Sequence, residues 1–172
     1  MTTVEFKGKP VEIKGKLPAV GETAPDFTYV KADGSEGTLV DDVKGKVKVL
    51  IAVPSLDTGV CQMETRKFNE ALSQREGVTG LVVSMDLHFA MRRFCETEGI
   101  QNVSVASDYR YNDFVQEYNT LIKEGAMKGL SARAVLVLDE ALKIHYSELV
   151  PAIGQEPQYD KALAVVDRLL AR

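Results

Sequence analysis

The first residues of the chain alternate between hydrophobic and polar side chains. Val4 and Phe6 stand between polar neighbours, and the alternation resumes at Val11 after a turn supplied by residues 8–9. A period of two around a glycine turn is typical of a β-hairpin. We therefore predict a two-stranded hairpin over residues 1–16, placed as an extension to the rest of the chain.

Beyond the hairpin, short apolar runs rich in β-branched residues alternate with stretches of helical periodicity. Continuous runs of this kind are typical of strands buried on both faces of a sheet. The predicted strands are residues 27–30, 47–53, 81–85, 103–106, 134–139 and 143–149. The predicted helices are residues 61–76, 88–99, 111–122 and 158–171. This alternation predicts an α/β fold, and the last two strands form a hairpin that places an antiparallel pair at one edge of the sheet.

Glycine and proline mark the boundaries of these elements. Residues 16–42 contain several of both, which predicts a loop interrupted by the short strand at 27–30. Gly77 and Gly99 follow two of the predicted helices. Because glycine readily adopts the left-handed conformation that ends a helix, both positions are predicted helix stops.

Composition narrows the class of protein. The 172 residues are 45% hydrophobic and 27% charged, so we expect a single globular domain over residues 1–172. The 21 basic and 25 acidic residues give a net charge of −4, the wrong sign for binding nucleic acid through its phosphates. Residues 1–10 lack the apolar run of a signal peptide and no segment has the length of a membrane span, so we expect a cytoplasmic protein.

The two cysteines, Cys61 and Cys95, carry the most informative chemistry, because two are too few for a secreted disulfide scaffold. Cys61 lies where a predicted buried strand gives way to a helix, the edge at which open α/β sheets place functional groups. With Thr58 as the N-cap, Cys61 falls in the first helical turn, where unpaired backbone N–H groups and the helix dipole favour a thiolate. The Thr58 hydroxyl is also placed to hydrogen-bond the sulfur.

Cys95 lies late in its predicted helix, where the dipole disfavours a thiolate, so we expect it to be the poorer nucleophile. Such asymmetry suits a pair in which an oxidant attacks one sulfur and the other sulfur then condenses with it. The two cysteines are 34 positions apart, which excludes a C-x-x-C motif. A bond between them would close a long loop and require helix unwinding, so we expect it to be strained and readily reduced.

Other interpretations of the same residues are possible. Either cysteine could be a buried structural residue. A cysteine–histidine hydrolase would need His88 or His145 as the base beside Cys61, but each histidine fits a half-exposed position. Zinc-ligand spacings and glycine-rich phosphate loops are both missing from the sequence. We therefore expect neither a metal nor a cofactor.

Three motifs resemble those of the peroxiredoxins. Residues 21–27, Gly-Glu-Thr-Ala-Pro-Asp-Phe, resemble the motif that precedes the family's core. Pro54-x-x-x-Thr58-x-x-Cys61 is similar to the family's active-site signature. Residues 129–133, Gly-Leu-Ser-Ala-Arg, lead into a predicted strand at the point where the family places its active-site arginine. Together these motifs span most of the chain.

Further segments are similar to those of bacterial thiol peroxidases, a subfamily of the atypical two-cysteine peroxiredoxins. They are residues 54–61, 66–69, 86–90 and 93–95, together with the N-terminal hairpin. One position departs from the pattern, because the subfamily usually has proline where this chain has His88. Proline at the first helical position fixes the backbone, so His88 is expected to change how easily the helix of Cys95 frays without altering the chemistry.

The resemblance implies a thioredoxin-like fold, in which helices flank a central mixed β-sheet. It also implies reduction of hydrogen peroxide and of alkyl or lipid hydroperoxides, in antioxidant defence and redox homeostasis. Cys61 would be the peroxidatic nucleophile that becomes a sulfenic acid, and Cys95 the resolving thiol that joins it in an intrachain disulfide. Thioredoxin would be the reductant, and a homodimer the assembly.

The resemblance assigns roles to three more residues. Arg133 would place a permanent cation beside the sulfur, stabilising the thiolate and polarising the peroxide. Thr58 would provide the hydroxyl that orients both, and Pro54 would shield the sulfur from water and over-oxidation. A non-enzymatic redox sensor or holdase is the alternative from another class, since it would use the same kind of cysteine pair.

Overall fold

A seven-stranded mixed β-sheet with helices on both faces forms the body of the protein. The computed structural model describes all 172 residues. The strands are β1 (Thr2–Phe6), β2 (Lys9–Ile13), β3 (Thr28–Val30), β4 (Glu36–Thr38), β5 (Val47–Ala52), β6 (Val78–Ser84), β7 (Val103–Ser107), β8 (Ala134–Asp139) and β9 (Ile144–Leu149). The helices are α1 (Leu39–Asp42), α2 (Gly59–Ser73), α3 (His88–Glu98), α4 (Asp113–Glu117) and α5 (Tyr159–Leu170).

The strand order in the large sheet is β4-β3-β7-β6-β5-β8-β9. Strands β5, β6 and β7 run parallel to one another, and every other neighbouring pair is antiparallel. The parallel pairing of β5 with β6 runs from Val47 opposite Val78 to Ala52 opposite Val83. The predicted α/β class with a mixed sheet is therefore confirmed, and the predicted β8–β9 hairpin lies at one edge.

Strand β5 is an interior strand of the sheet and is formed by a nearly continuous apolar run. All six of its residues are buried. Val49 and Ile51 belong to the same hydrophobic cluster as Phe68 of α2. Leu50, which points the other way, belongs to a second cluster with Phe114 of α4. Because both faces are covered by helices, this strand lacks the alternation of a half-exposed strand and has one polar residue, Lys48.

The N-terminal hairpin is fastened to the body of the protein. Strands β1 and β2 pair antiparallel, as predicted. The backbone N–H of Glu5 donates to Pro151 O at 2.7 Å, and the N–H of Ile153 donates to Glu5 O at 2.8 Å. Val4 and Ile13 are buried in a small cluster that includes Ile153. These contacts place the tip of the hairpin beside the segment that follows β9.

The hairpin turn lies one residue earlier than the sequence predicts. Lys7 and Gly8 occupy it, with φ values of 50° and 80°. A two-residue turn of this type requires left-handed φ at both central positions. Lys9, predicted to lie in the turn, instead begins β2 opposite Phe6.

The helix predicted over residues 111–122 is shorter in the structure, where α4 covers only Asp113–Glu117. Asn119 has a φ of 62°, which breaks the right-handed helical path. Ile122 then forms an isolated antiparallel bridge with Ile13 of the hairpin. The apolar residues at the end of this segment therefore pack in an extended conformation that helical spacing does not reveal.

Helix boundaries differ from prediction in one case and agree in another. Helix α2 begins at Gly59 and ends at Ser73, so Gly77, with a φ of 85°, lies beyond the helix and does not cap it. Gly99 has a φ of 66° and ends α3 as predicted. The remaining predicted strands and helices are present, with ends within three residues of the predicted bounds.

The segment over residues 16–42 contains more regular structure than predicted. In addition to β3 it forms β4 and the short helix α1. Thr38 caps α1, because its hydroxyl oxygen accepts a hydrogen bond from Asp41 N at 3.1 Å. None of the helices in the structure combines the length and the apolar character needed to cross a bilayer.

Candidate active site

The loop between β5 and α2 is held in place by one carboxylate. Asp86, which follows β6, accepts hydrogen bonds from Ser55 Oγ at 2.7 Å and from Leu56 N at 2.8 Å. Ser55 in turn accepts, through its backbone oxygen, the Thr58 N–H at 3.2 Å. The two hydrogen bonds to the Asp86 carboxylate are charge-assisted, and such bonds are stronger than neutral ones. The parallel pairing of β5 and β6 thus brings both strand ends together and fixes the path into α2.

Cys61 is the third residue of α2 and its side chain is fully buried. Cys61 therefore lies in the first helical turn, as predicted, although α2 starts two residues earlier than predicted. The Cys61 Sγ accepts a hydrogen bond from Arg133 Nη1 at 3.2 Å. The buried sulfur therefore lies beside a helix N-terminus and in contact with a guanidinium donor.

Thr58 is the N-cap residue of α2, with extended backbone angles, but its side chain makes no capping bond. Its hydroxyl donates to Ser55 O at 3.0 Å. The predicted hydrogen bond from this hydroxyl to the Cys61 sulfur is therefore wrong for this structure. The loop fixed by Asp86 places the carbonyl oxygen of Ser55 where it accepts the hydrogen bond from the Thr58 hydroxyl.

Arg133 comes directly before β8 and is only 2% exposed. Its Nη1 donates to Cys61 Sγ and, at 2.7 Å, to Glu64 Oε2. Its Nε and Nη2 donate to Ile153 O at 3.2 and 2.7 Å. Burial lowers the pKa of Arg133, but the charges of Cys61 and Glu64 outweigh burial and raise that pKa above its ordinary value. Arg133 is therefore a fixed cation whose orientation is determined by three neighbours.

Glu64 is a buried acid that the sequence analysis missed. It lies one helical turn after Cys61, on the same face of α2, and it is fully buried. Its Oε2 pairs with Arg133, whereas its Oε1 has no hydrogen-bond partner. Burial raises the pKa of Glu64 to about 7, although the charge of Arg133 acts in the opposite direction. The three-residue spacing from Cys61 was the sequence signal that could have identified it.

The raised pKa of Glu64 predicts a specific pH dependence of stability. A carboxyl that titrates at about 7 when folded holds a proton that the unfolded chain releases near its ordinary pKa. The free energy of unfolding should therefore fall as pH rises from about 4.5 to about 7, by at most about 1.4 kcal/mol per pH unit from this group. Urea denaturation of wild type and Glu64→Gln across this range measures the slope.

The matched control for that measurement is Glu70→Gln, on the exposed side of the same helix. It should keep the wild-type slope, whereas Glu64→Gln should flatten it. Equal slopes in wild type and Glu64→Gln would show that folding does not raise the pKa of Glu64.

Cys95 lies in the last part of α3 and is half-buried. Burial, and secondly the charge of Glu96, raise the pKa of the Cys95 thiol. Both cysteines are free thiols in the structure. The Nε and Nη2 atoms of Arg66 on α2 lie 3.0 and 2.8 Å from the two carboxylate oxygens of Glu98. This ion pair links the end of α3 to α2. Cys61 thus contacts a guanidinium, whereas the charge that acts on Cys95 is that of a carboxylate.

A cleft of about 400 Å³ opens onto this site. Pro54 is buried at the end of β5 and forms part of its wall. The cleft also brings in the hairpin, which the sequence analysis did not connect with the site. Its other lining residues are Phe6, Lys7, Thr58, Gly59, Val60, Met127, Arg133, Ile153 and Gly154.

Neither histidine is a hydrogen-bond partner of Cys61. His145 Nε2 lies 2.8 Å from Asp139 Oδ2, between β8 and β9. The His88 ring packs against Phe89, with 4.0 Å between ring centroids, at the start of α3. The geometry therefore gives no support to a cysteine–histidine hydrolase. No group of three or more His, Cys, Asp or Glu side chains in the structure is arranged to hold a metal ion.

The site is thus a buried cysteine at a helix start in contact with a buried arginine beside a mixed sheet. The Redoxin family matches residues 19–163, which is most of the chain. The chain belongs to the Redoxin family.

Individual relatives show which kind of Redoxin protein this chain resembles. The thiol peroxidase of Leptospira interrogans is 52% identical over 172 residues, covering 99% of this chain and all of its own. A solved peroxiredoxin-like protein from Aquifex aeolicus is 50% identical, with a TM-score of 0.90 over 97% of this chain and 96% of its own. These relatives identify a peroxidase oxidoreductase of the peroxiredoxin type and confirm the resemblance drawn from the sequence.

A more distant structure supports the fold alone. The thiol peroxidase from Chromobacterium violaceum superposes with a TM-score of 0.89 over 96% of this chain and 95% of its own, at 21% identity. Together with the Aquifex aeolicus structure, it confirms the predicted thioredoxin-like arrangement of a central mixed sheet flanked by helices.

Proposed function

We propose that the protein reduces hydroperoxides through Cys61. The observation that carries this proposal is the 3.2 Å contact between Arg133 Nη1 and Cys61 Sγ inside a buried site that opens onto a cleft. The thiolate attacks one peroxide oxygen, the O–O bond breaks, and the other oxygen leaves and takes up a proton as water or an alcohol. Cys61 becomes a sulfenic acid.

Arg133 is proposed to stabilise the charge that moves during this step. A guanidinium has five N–H donors, and the four contacts to Cys61, Glu64 and Ile153 use four of them. The fifth donor is available to the leaving oxygen of the peroxide. Donors that are already oriented before the reaction are the most effective stabilisers of developing charge.

Thr58 and Pro54 are proposed to prepare the site for substrate. The Thr58 hydroxyl bonds Ser55 O, so its oxygen keeps lone pairs that can accept the proton of the hydroperoxide and orient it. Pro54 has no N–H and a rigid ring, and it lies buried at the cleft wall. It therefore shields the sulfur from water and over-oxidation while leaving backbone donors for the substrate.

Cys95 is proposed to resolve the sulfenic acid. Its thiol attacks the Cys61 sulfur, a disulfide forms, and the sulfenic oxygen leaves as water with the thiol proton. Because Cys95 lies within α3 and Cys61 within the first turn of α2, both helices must unwind in part. Thioredoxin, as a dithiol, then supplies two electrons and two protons and restores both thiols. A cytoplasmic location would provide this reductant.

The apolar wall of the cleft supports hydroperoxides with an apolar group as substrates, in addition to hydrogen peroxide. Phe6, Met127 and Ile153 give its outer part an apolar wall. Such a wall contributes binding energy to an alkyl chain but none to hydrogen peroxide. We therefore propose alkyl and lipid hydroperoxides as substrates.

A second copy of the chain is the proposed partner of an exposed apolar patch beside the site. Leu87, Phe89 and Tyr109 are 49%, 70% and 61% exposed, and they surround one depression together with Asp57 and Arg93. Large exposed side chains grouped in this way mark interaction surfaces. Asp57 of one copy and Arg93 of the other can pair across a two-fold axis, which supports a homodimer.

The function is tested by adding one equivalent of hydroperoxide to the reduced protein, followed by intact-mass measurement and peptide mapping. We expect a loss of two hydrogens and a peptide pair joined through Cys61 and Cys95 within one chain. Many turnovers with thioredoxin and its reductase should follow when peroxide is in excess. Consumption of one equivalent that thioredoxin cannot renew would instead indicate a redox sensor.

Cys95→Ser should retain the first step and lose the second. We expect it to consume about one peroxide per chain and then stop, because no thiol remains to resolve the sulfenic acid. A quantitative assay of residual peroxide, with trapping of the sulfenic acid by dimedone, measures this. Sustained thioredoxin-dependent turnover by this variant would exclude the resolving role of Cys95.

A further inference from the structure

The tip of the hairpin is held over the mouth of the active-site cleft. Phe6 and Lys7 line the same cleft as Thr58 and Arg133. The hairpin cannot swing freely there, because Glu5, two residues before Lys7, exchanges two backbone hydrogen bonds with the segment after β9. The backbone of Lys7 is therefore held at the wall of the cleft.

The charges of the cleft are unbalanced. Of its ten lining residues only Lys7 and Arg133 are charged, and both are cations. Arg133 is 2% exposed, and its guanidinium already donates hydrogen bonds to Cys61, Glu64 and Ile153. Lys7 is exposed and forms no ion pair in the structure; its Nζ lies 5.3 Å from the centroid of the Phe6 ring. The cleft thus has an unneutralised cation at its outer end.

The backbone gives no reason for a lysine at this position. Lys7 has a φ of 50°, a conformation that glycine, asparagine and aspartate adopt more readily than other residues. Non-glycine residues in this conformation cluster at functional sites.

We propose that Lys7 binds the anionic end of an amphipathic hydroperoxide, the carboxylate of a fatty-acid hydroperoxide, whose chain contacts Phe6, Met127 and Ile153. The carboxylate pairs with the ammonium group at the rim while the hydroperoxide group reaches Cys61. This inference rests on the proposed peroxidase function and adds to it a preference for substrates that carry a negative charge.

The test compares linoleic acid hydroperoxide with its methyl ester, which has the same chain and no charge. We expect wild type to prefer the acid, and Lys7→Gln to lower kcat/KM for the acid by about fivefold, mainly through KM, consistent with one exposed ion pair. The values for the ester and for hydrogen peroxide should fall much less, so the ratio of acid to ester reports the effect of Lys7. Raising the salt concentration should reduce the preference of wild type and leave Lys7→Gln unaffected.

The matched control is Lys9→Gln, which removes the same charge from the same hairpin outside the cleft. It should keep the wild-type ratio of acid to ester. The inference is wrong if Lys7→Gln leaves that ratio unchanged, or if Lys9→Gln lowers it equally, since the effect would then be one of overall charge. Wild type that consumes none of the three peroxides would overturn the proposed function itself.

Discussion

Substituting serine for Cys61 is expected to reduce peroxide consumption to the uncatalysed rate, a loss of more than about 10³-fold. Serine keeps nearly the same volume in a fully buried position and can still accept the hydrogen bond from Arg133. What it lacks is a polarisable sulfur, whose thiolate is the nucleophile that attacks oxygen. The loss should therefore appear in the rate and not in the fold.

The measurement is the consumption of hydrogen peroxide and of cumene hydroperoxide, each with thioredoxin and its reductase present. Circular dichroism and urea denaturation of the variant show whether the fold is retained. Cys95→Ser is the matched comparison, because it makes the same atomic change in the other cysteine. If Cys61→Ser turned over as wild type does, the nucleophile would have to be another group and the proposed mechanism would be wrong.

The central fold could be predicted from sequence because its signals are local. A strand such as β5, buried on both faces, is apolar at every position but one, and its exception, Lys48, directs its ammonium group to the backbone oxygens of Gly45 and Glu140. The position of Cys61 could be predicted for the same reason, since a strand end and a helix start are both visible in adjacent residues. Resemblance to the peroxiredoxins then supplied Arg133, which no local pattern connects with Cys61.

The features that could not be predicted depend on residues distant in sequence. Nothing near Lys7 indicates that the hairpin tip reaches the cleft, because the contact that places it there is between Glu5 and the segment at 151–153. The direction of the Thr58 hydroxyl depends on the loop conformation that Asp86 imposes from the neighbouring strand. Glu64 looks like an ordinary charged helix residue until Arg133 is placed beside it.

Replacement of Arg133 is the second substitution expected to have a large effect. Arg133→Gln should slow oxidation of Cys61 by about 10² to 10³-fold, the usual cost of removing an oriented donor from developing charge. Arg133→Lys keeps the charge, but a single ammonium group cannot contact Cys61, Glu64 and Ile153 together as the guanidinium does. We expect it to lose at least about tenfold as well.

The rate to measure is the single-turnover oxidation of Cys61 under excess peroxide, which excludes resolution and thioredoxin from the result. Arg133→Gln alone also leaves Glu64 buried without its cation, which costs stability. The double variant Arg133→Gln/Glu64→Gln removes that cost, because neither side chain is then charged. If the double variant regains stability but stays slow, the loss belongs to the reaction; a rate that returns with stability would mean that Arg133 only supports the fold.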